Sequence, residues 1–318
     1  MEQGCFLKKA SACNLLLLLG IAASHAQDAN YETVQSFRFS LIQIPVWVAN
    51  KKGVPIPNLR KKDFRLHVDN HPVPINGCLQ AWDRPMELVY LLDISGSMGI
   101  GGKLAASIET ISHLIENAQE GDRWQIIVFA DGQVVRVLDQ SQAHLWSKLK
   151  VKLEAYGKTA LYDALSLCHS YFSDDSLTNR GVLLFTDGND NQSRLTRDQL
   201  FSLLATLDIP VFIVGIADGF IPTDPDQQEK LGLNILKEIA NITGGELVLA
   251  EHSSQLPVIA RRLSRTLRPQ YLLSITVERG GGDRYHNIRV GLKKNRGFQV
   301  RYRKGYIGFL PELMGGRK

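Results

Sequence analysis

At 318 residues, 44% hydrophobic and 22% charged, the chain has the make-up of an ordinary globular protein, which excludes a disordered or repetitive one. Its length holds one large domain and a smaller one. The formal net charge of +5 is mild, and no dense Lys/Arg run interleaved with aromatic residues accompanies it, so the electrostatic signature of a nucleic-acid binder is missing.

In chain order, the first segment reads as a targeting signal. Lys8 and Lys9 precede the apolar run Leu15–Ala23, and the small residues Ser24 and Ala26 stand just before Gln27. That is the layout of a cleaved secretory signal over residues 1–26. A retained membrane anchor is the alternative, although the apolar run is short for a bilayer span. No later stretch is long and apolar enough to span, so the mature chain is expected to be soluble, and secreted or periplasmic. Cleavage after Ala26 removes Cys5 and Cys13 and leaves Cys78 and Cys168, which are too few for a disulfide framework. Both are expected to be buried thiols, with a bridge between them left open in an oxidising compartment.

Residues 27–86 form an N-terminal β segment. Its part 37–82 is strand-like and rich in turns, as in "FRFSLIQIPVWVANKKGVPIPNL" and "DFRLHVDNHPVPI". Residues 87–268 then alternate short apolar strands with amphipathic helices. The expected strands are Leu88–Asp93, Trp124–Phe129, Val134–Leu138, Val182–Phe185, Val211–Ile216 and Leu247–Leu249. Their continuous Val, Ile, Leu and Phe content suits strands buried on both faces. Val134–Leu138 follows its neighbour after a few residues and is expected as an antiparallel edge strand.

Helical spacing joins Leu104, Ile108, Ile111 and Ile115, and also Leu145, Leu149 and Leu153. Further helices are expected over Leu161–Phe172, Arg197–Leu207, Leu233–Ile242 and Gln255–Leu267. Thr196 suits a helix start and Gly244-Gly245 a helix end. The fold expected is α/β, a doubly wound, mostly parallel six-stranded sheet with helices on both sides. The last segment, 269–318, contains two strand patterns joined by a turn at Gly280–Gly282. It is expected to pair with 37–82 into one small flanking β-module, because isolated hairpins are marginal in water.

Three places carry chemistry. The first apolar strand ends in Asp93-Ile94-Ser95-Gly96-Ser97, the fourth ends in Thr186-Asp187-Gly188, and Thr159 opens the helix before that fourth strand. Ligands of doubly wound sheets sit beyond the carboxyl ends of strands where the strand order reverses. Strands one and four are the neighbours at that reversal, so these residues should converge on one edge. Two carboxylates about 5 Å apart repel by roughly 3 kcal/mol at an effective dielectric of 20. A divalent cation turns that term into attraction, and an all-oxygen set with room for water suits Mg2+ or Mn2+. Singly, Asp93, Ser97 and Thr159 also suit helix caps, and Asp187-Gly188 a plain turn. It is their joint placement at strand ends that favours a cation.

The run Asp93-x-Ser95-x-Ser97, then Thr159, then Asp187 resembles the metal-ion-dependent adhesion site of von Willebrand factor type A domains. With "LRKKDFRLHVDN", "TALYDAL", "QYLLS" and "YRKGY", the chain resembles the secreted bacterial proteins of the von Willebrand factor type A-related family. The resemblance implies that Ser95 and Ser97 coordinate the metal through their hydroxyls. Asp93 and Asp187 act directly or through water, and Thr159 joins when a ligand binds. One position is left for an Asp or Glu carboxylate of a protein partner. Lys158 departs from the glycine usual in such loops.

Gly157-Lys158-Thr159 also looks like the tail of a phosphate-binding loop. The glycine that such a loop needs five residues earlier is Lys152, and no strand leads in, so no nucleotide is expected. His169 is expected to be packed, and the acidic stretch Asp218–Lys230 to rim the binding face. The function expected is a non-enzymatic, metal-dependent protein-binding module. The alternatives are a structural component of the cell envelope with a stabilising metal, and a metal-dependent hydrolase. The hydrolase lacks a His or Glu in the metal segments, with Asp190 the nearest base.

Overall fold

Strands buried on both sides can carry no polar face, and β5 (Met86–Asp93) is buried at every position. Its side chains alternate between two cores. Leu88, Tyr90 and Leu92 enter one together with residues of α1 (Lys103–Glu116), and Val89 and Leu91 enter the other together with residues of α3 (Leu161–Leu167). In this computed structural model the described residues are 39–307, apart from 174–177, 189, 218–231, 270, 279–283 and 295–296. The signal segment, the acidic stretch Asp218–Lys230 and the turn Gly280–Gly282 lie outside the described residues.

Five more strands complete the central sheet: β6 (Arg123–Ala130), β7 (Gln133–Asp139), β8 (Asn179–Thr186), β9 (Val211–Ile216) and β10 (Leu247–Ala250). The six-stranded order is β10-β9-β8-β5-β6-β7. Every pair is parallel except β6 with β7, so the expected antiparallel edge is present. The chain begins in the middle at β5, runs outward through β6 and β7, then returns to the other side of β5 as β8. The reversal therefore falls between β5 and β8, where their carboxyl ends part.

Helix ends follow local chemistry. Thr196 caps α4 (Arg197–Thr206) in a reciprocal box with Gln199. After α5 (Leu233–Thr243), Gly244 takes a left-handed φ of 79° and stops the helix. The next residue, Gly245, passes so close to the start of β9 that a Cβ there would lie 1.9 Å from the Val211 carbonyl oxygen. The final helix of the layer is α6 (Leu256–Thr266). Among the described residues no helix is long and apolar enough to cross a membrane.

The leucine spacing over 145–153 does not make a continuous helix. A 3-10 segment (Gln140–Leu145), the single turn α2 (Trp146–Leu149) and a second 3-10 turn (Lys150–Lys152) replace it. Trp146 governs the packing: it is buried, and its Nε1 donates to Ser112 Oγ at 2.9 Å, whereas Leu149 and Leu153 only lean on the core. Likewise α3 ends at Leu167 and tightens into a 3-10 turn, Cys168–Tyr171. His169, expected to be packed, is exposed on that turn. Cys78 and Cys168 are both free thiols. Cys168 is buried, which pushes its thiol up to about 12, while Cys78 is only half-buried.

The flanks pair with each other as expected, and they do so as two antiparallel sheets that share one core. One has the order β13-β1-β11-β4, from β1 (Phe39–Ala49), β4 (Gly77–Gln80), β11 (Tyr271–Glu278) and β13 (Gln299–Tyr302). The other has the order β14-β12-β2-β3, from β2 (Phe64–Val68), β3 (His71–Pro72), β12 (Tyr285–Leu292) and β14 (Gly305–Ile307). The expected hairpin between 271–278 and 285–292 is absent as a pair, because each strand has another partner. Strand β11 pairs with β1 from Val46↔Tyr271 to Phe39↔Glu278, and β12 pairs with β2 from Leu292↔Phe64 to Val68↔Ile288. Ile44, Val46, Phe64, Leu66, Leu273, Ile275 and Val290 share a core between the two sheets. Tyr271 Oη donates to the Ile56 carbonyl at 2.6 Å and accepts the Leu59 N–H at 3.0 Å, which satisfies a buried hydroxyl and clamps the loop after β1. On the opposite face of β1, Trp47 stands edge-on to Phe212 of β9, with centroids 5.7 Å apart, and joins the central core.

Overpacking of a backbone approach costs about 1–3 kcal/mol or more. Gly245→Ala should therefore lower the urea-unfolding free energy by at least that amount. Gly291→Ala, where a Cβ meets nothing within 4 Å, should leave it nearly unchanged.

Candidate metal centre

A carboxylate fully out of water needs hydrogen-bond donors, and Asp93, with no exposed surface at the end of β5, has two, one from the turn after its own strand and one from β8. Its Oδ1 accepts the Ser95 N–H at 2.8 Å, and its Oδ2 accepts the Thr186 hydroxyl at 2.6 Å. Burial nevertheless dominates and raises its pKa from 3.8 to about 6. The bonds from Thr186 and Ser95 oppose the rise, and the nearby charge of Asp187 adds to it.

From Asp93 a chain of polar contacts leads outward. Ser95 Oγ lies 3.3 Å from Ser97 Oγ, and Ser97, exposed at the mouth, donates to Asp187 Oδ1 at 2.9 Å. The other oxygen of Asp187 accepts from Lys103 Nζ at 2.5 Å. The structure thus brings Asp93, Ser95, Ser97 and Asp187 together where β5 and β8 part.

Thr159 reaches the same edge through backbone ties. Tyr156 N–H donates to the Ile94 carbonyl at 2.8 Å, Gly96 N–H to Gly157 at 3.0 Å, and Asp131 N–H to Lys158 at 2.7 Å. Gly157 has a left-handed φ of 68°, and a Cβ on it would stand 2.7 Å from Asp131 Cβ. Glycine at 157 is therefore a requirement of this loop packing, and Lys158, exposed, is held through its carbonyl. Thr159 is buried; its N–H donates to Asn191 Oδ1 at 2.9 Å and its carbonyl accepts the Asn191 N–H at 3.0 Å.

The segment after Asp187 is locked to the start of α3 in both directions. Asp190 accepts the Tyr162 N–H at 3.0 Å, and Asp163 accepts the N–H groups of Arg194 and Leu195 at 3.0 and 3.1 Å. These bonds satisfy a helix-end donor at Tyr162 and loop donors at Arg194 and Leu195, and hold the start of α3 to the segment after Asp187. Asp190 is thereby committed to a backbone N–H and to Ser193.

The sequence reading did not single out Lys103, Thr186 as a donor to Asp93, or Asn191 as the clamp on Thr159. The one signal available was positional: Lys103 follows Gly101-Gly102 at the first helical residue, where side chains tilt back toward the helix start. Chemically, the cluster offers hard oxygens only. No group of three or more His, Cys, Asp or Glu that could hold a metal occurs among the described residues. A cation here would use hydroxyl oxygens besides Asp93 and Asp187, a set that fits Mg2+ or Mn2+ better than Zn2+ or Cu2+.

Because the folded pKa of Asp93 lies above its ordinary value, the fold favours the protonated acid, and stability from this group falls as pH rises from about 4 to about 6. In chelator, the unfolding free energy of Asp93→Asn should gain on that of the wild type by about 3 kcal/mol between pH 4 and 7, from roughly two pKa units at 1.36 kcal/mol each. Parallel denaturation curves of the two proteins at a series of pH values measure this.

Residues 88–189 match a family model described as von Willebrand factor type A domain. An uncharacterised protein of Borreliella burgdorferi is 26% identical over 141 residues, 42% of this chain. The alignment spans only 41% of that relative's length. Among solved structures, the conserved hypothetical protein BatB from Bacteroides thetaiotaomicron is 22% identical with a TM-score of 0.45, over 57% of this chain and 98% of that one. A von Willebrand factor type A protein from Catenulispora acidiphila is 15% identical with a TM-score of 0.47, over 88% and 76% of the two chains. The family match runs from β5 to just past Asp187 and contains Asp93, Ser95, Ser97, Thr159 and Asp187; over that stretch the chain is similar to the von Willebrand factor type A domain.

Proposed function

We propose that this protein is an exported, non-enzymatic interaction module that captures an acidic group of a partner protein through a divalent cation. Ser95 and Ser97 would hold Mg2+ or Mn2+ through their hydroxyls, Asp93 and Asp187 directly or through water, and Thr159 would join when a ligand is engaged. The bound cation would supply a positive centre with one position open to an Asp or Glu carboxylate. We further propose that 87–268 is the binding domain, with 27–86 and 269–318 as its flanking β segments behind a signal over 1–26.

The observation that carries this reading is the unbroken run of contacts Asp93–Ser95–Ser97–Asp187 at the parting of β5 and β8. Buried Asp93 adds negative charge beneath exposed Ser97, which draws a cation to the mouth instead of into the core. A hydrolytic reading gains no support, because the nearest candidate base, Asp190, is occupied with a helix N–H and Ser193.

Calorimetric titration should record uptake of Mn2+ and Mg2+ by the wild type. Asp93→Ala and Ser95→Ala should lose it while keeping a wild-type circular dichroism spectrum. In a pull-down from envelope extract, the wild type should retain a partner in Mg2+ and release it in EDTA, and Asp93→Ala should retain none. Thr159→Ala should weaken capture more than metal uptake. Capture by Asp93→Ala equal to that of the wild type would sink the proposal.

A further inference from the structure

Gly101 and Gly102 both adopt left-handed backbone, φ 65° and 72°, and deliver the chain to α1 with Lys103 as its first helical residue. Its side chain returns over the helix start and puts Nζ 2.5 Å from Asp187 Oδ2, with both side chains only 6% exposed. Lysine is rarely so covered, and a buried ammonium persists where an anion answers it. The two oxygens of Asp187 are then both engaged, one by the Ser97 hydroxyl and one by the ammonium.

We propose that Lys103 is a tethered counter-ion of the site, which a divalent cation held directly by Asp187 displaces on binding. The inference rests on the metal reading above and adds a coupling to it. An ammonium and a divalent cation repel each other, and in a covered site that repulsion is weakly screened, so a cation held directly by Asp187 weakens the grip of the ammonium on the same carboxylate. Loading the metal then releases Lys103 from Asp187, and removing it lets the ammonium close on Asp187 again. With Lys103 in place, one of the two carboxylate charges is neutralised internally. The site therefore tolerates being empty and resists monovalent ions, which cannot outcompete an ammonium already in position.

The test uses the native full chain. Surface amines are acetylated in EDTA and in saturating Mg2+, the modification rate of each lysine is followed by mass spectrometry, and metal uptake of the same sample is measured calorimetrically. Lys103 should react severalfold faster with Mg2+ bound, while exposed Lys148 is unchanged. Lys103→Met should bind Mn2+ about tenfold more tightly than the wild type, an ordinary size for coupling between two binding events. Metal uptake with an unaltered Lys103 rate would overturn the counter-ion and leave the metal reading standing. No uptake by either the wild type or Lys103→Met would overturn both. Uptake by Lys103→Met alone would support the counter-ion in its strongest form. If Lys103→Met does not fold, the labelling of the native chain decides the matter unaided.

Discussion

A carboxylate with no access to water sits at the centre of this molecule, and the neighbouring geometry follows from keeping it there. Asp93 ends a strand whose every residue is buried, so its charge cannot be hydrated and has to be met by donors of the protein. One donor comes from its own chain two residues on, at Ser95, and the other from the end of the adjacent strand, at Thr186. That pairing joins the ends of β5 and β8, the two strands between which the winding changes sides. It also brings Asp187, the residue after Thr186, to the mouth beside Ser97.

The third participant is positioned differently. The loop before Thr159 has little packing of its own and is suspended from its neighbours by backbone bonds to Ile94, Gly96 and Asp131. Asn191, Asp190 and Asp163 then bind it to the segment beyond Asp187. Most of these groups do structural service: they satisfy helix-end and loop amides that would otherwise be left without partners. Rigidity at the mouth is the by-product. A residue held by two independent sets of bonds has little freedom left to lose.

Much of this was legible because the signals were strong and local. Apolar runs ending in polar residues marked β5 and β8, and the rule that chains reverse direction at the sheet centre brought Asp93 and Asp187 to one edge. Thr196 with Gln199, and Gly244 with its left-handed turn, marked helix ends by chemistry that acts within a few residues. What was not legible depended on distant partners. Leu145, Leu149 and Leu153 have helical spacing, but Trp146 found Ser112 across the fold, and the segment broke into short turns to let it. The strands at 271–278 and 285–292 look like a hairpin until β1 and β2 are available as competitors. Lys103 belongs to this class too, since nothing within its own helix shows that its ammonium meets a carboxylate 84 positions away.

The interleaving of the two ends has a consequence for biosynthesis. Strand β1 lies between β11 and β13, with Ile42 opposite Ile275 and Val48 opposite Val300. As the polypeptide emerges from the ribosome, β1 appears early and must stay unpaired while more than two hundred residues follow. Closing so large a loop is entropically slow. The segment waiting, "IQIPVWV", is apolar and of high strand propensity, the kind that adheres to other nascent chains. Pro45 within it, lacking an N–H, weakens any stray ladder it enters, and so guards the strand until its proper neighbours arrive.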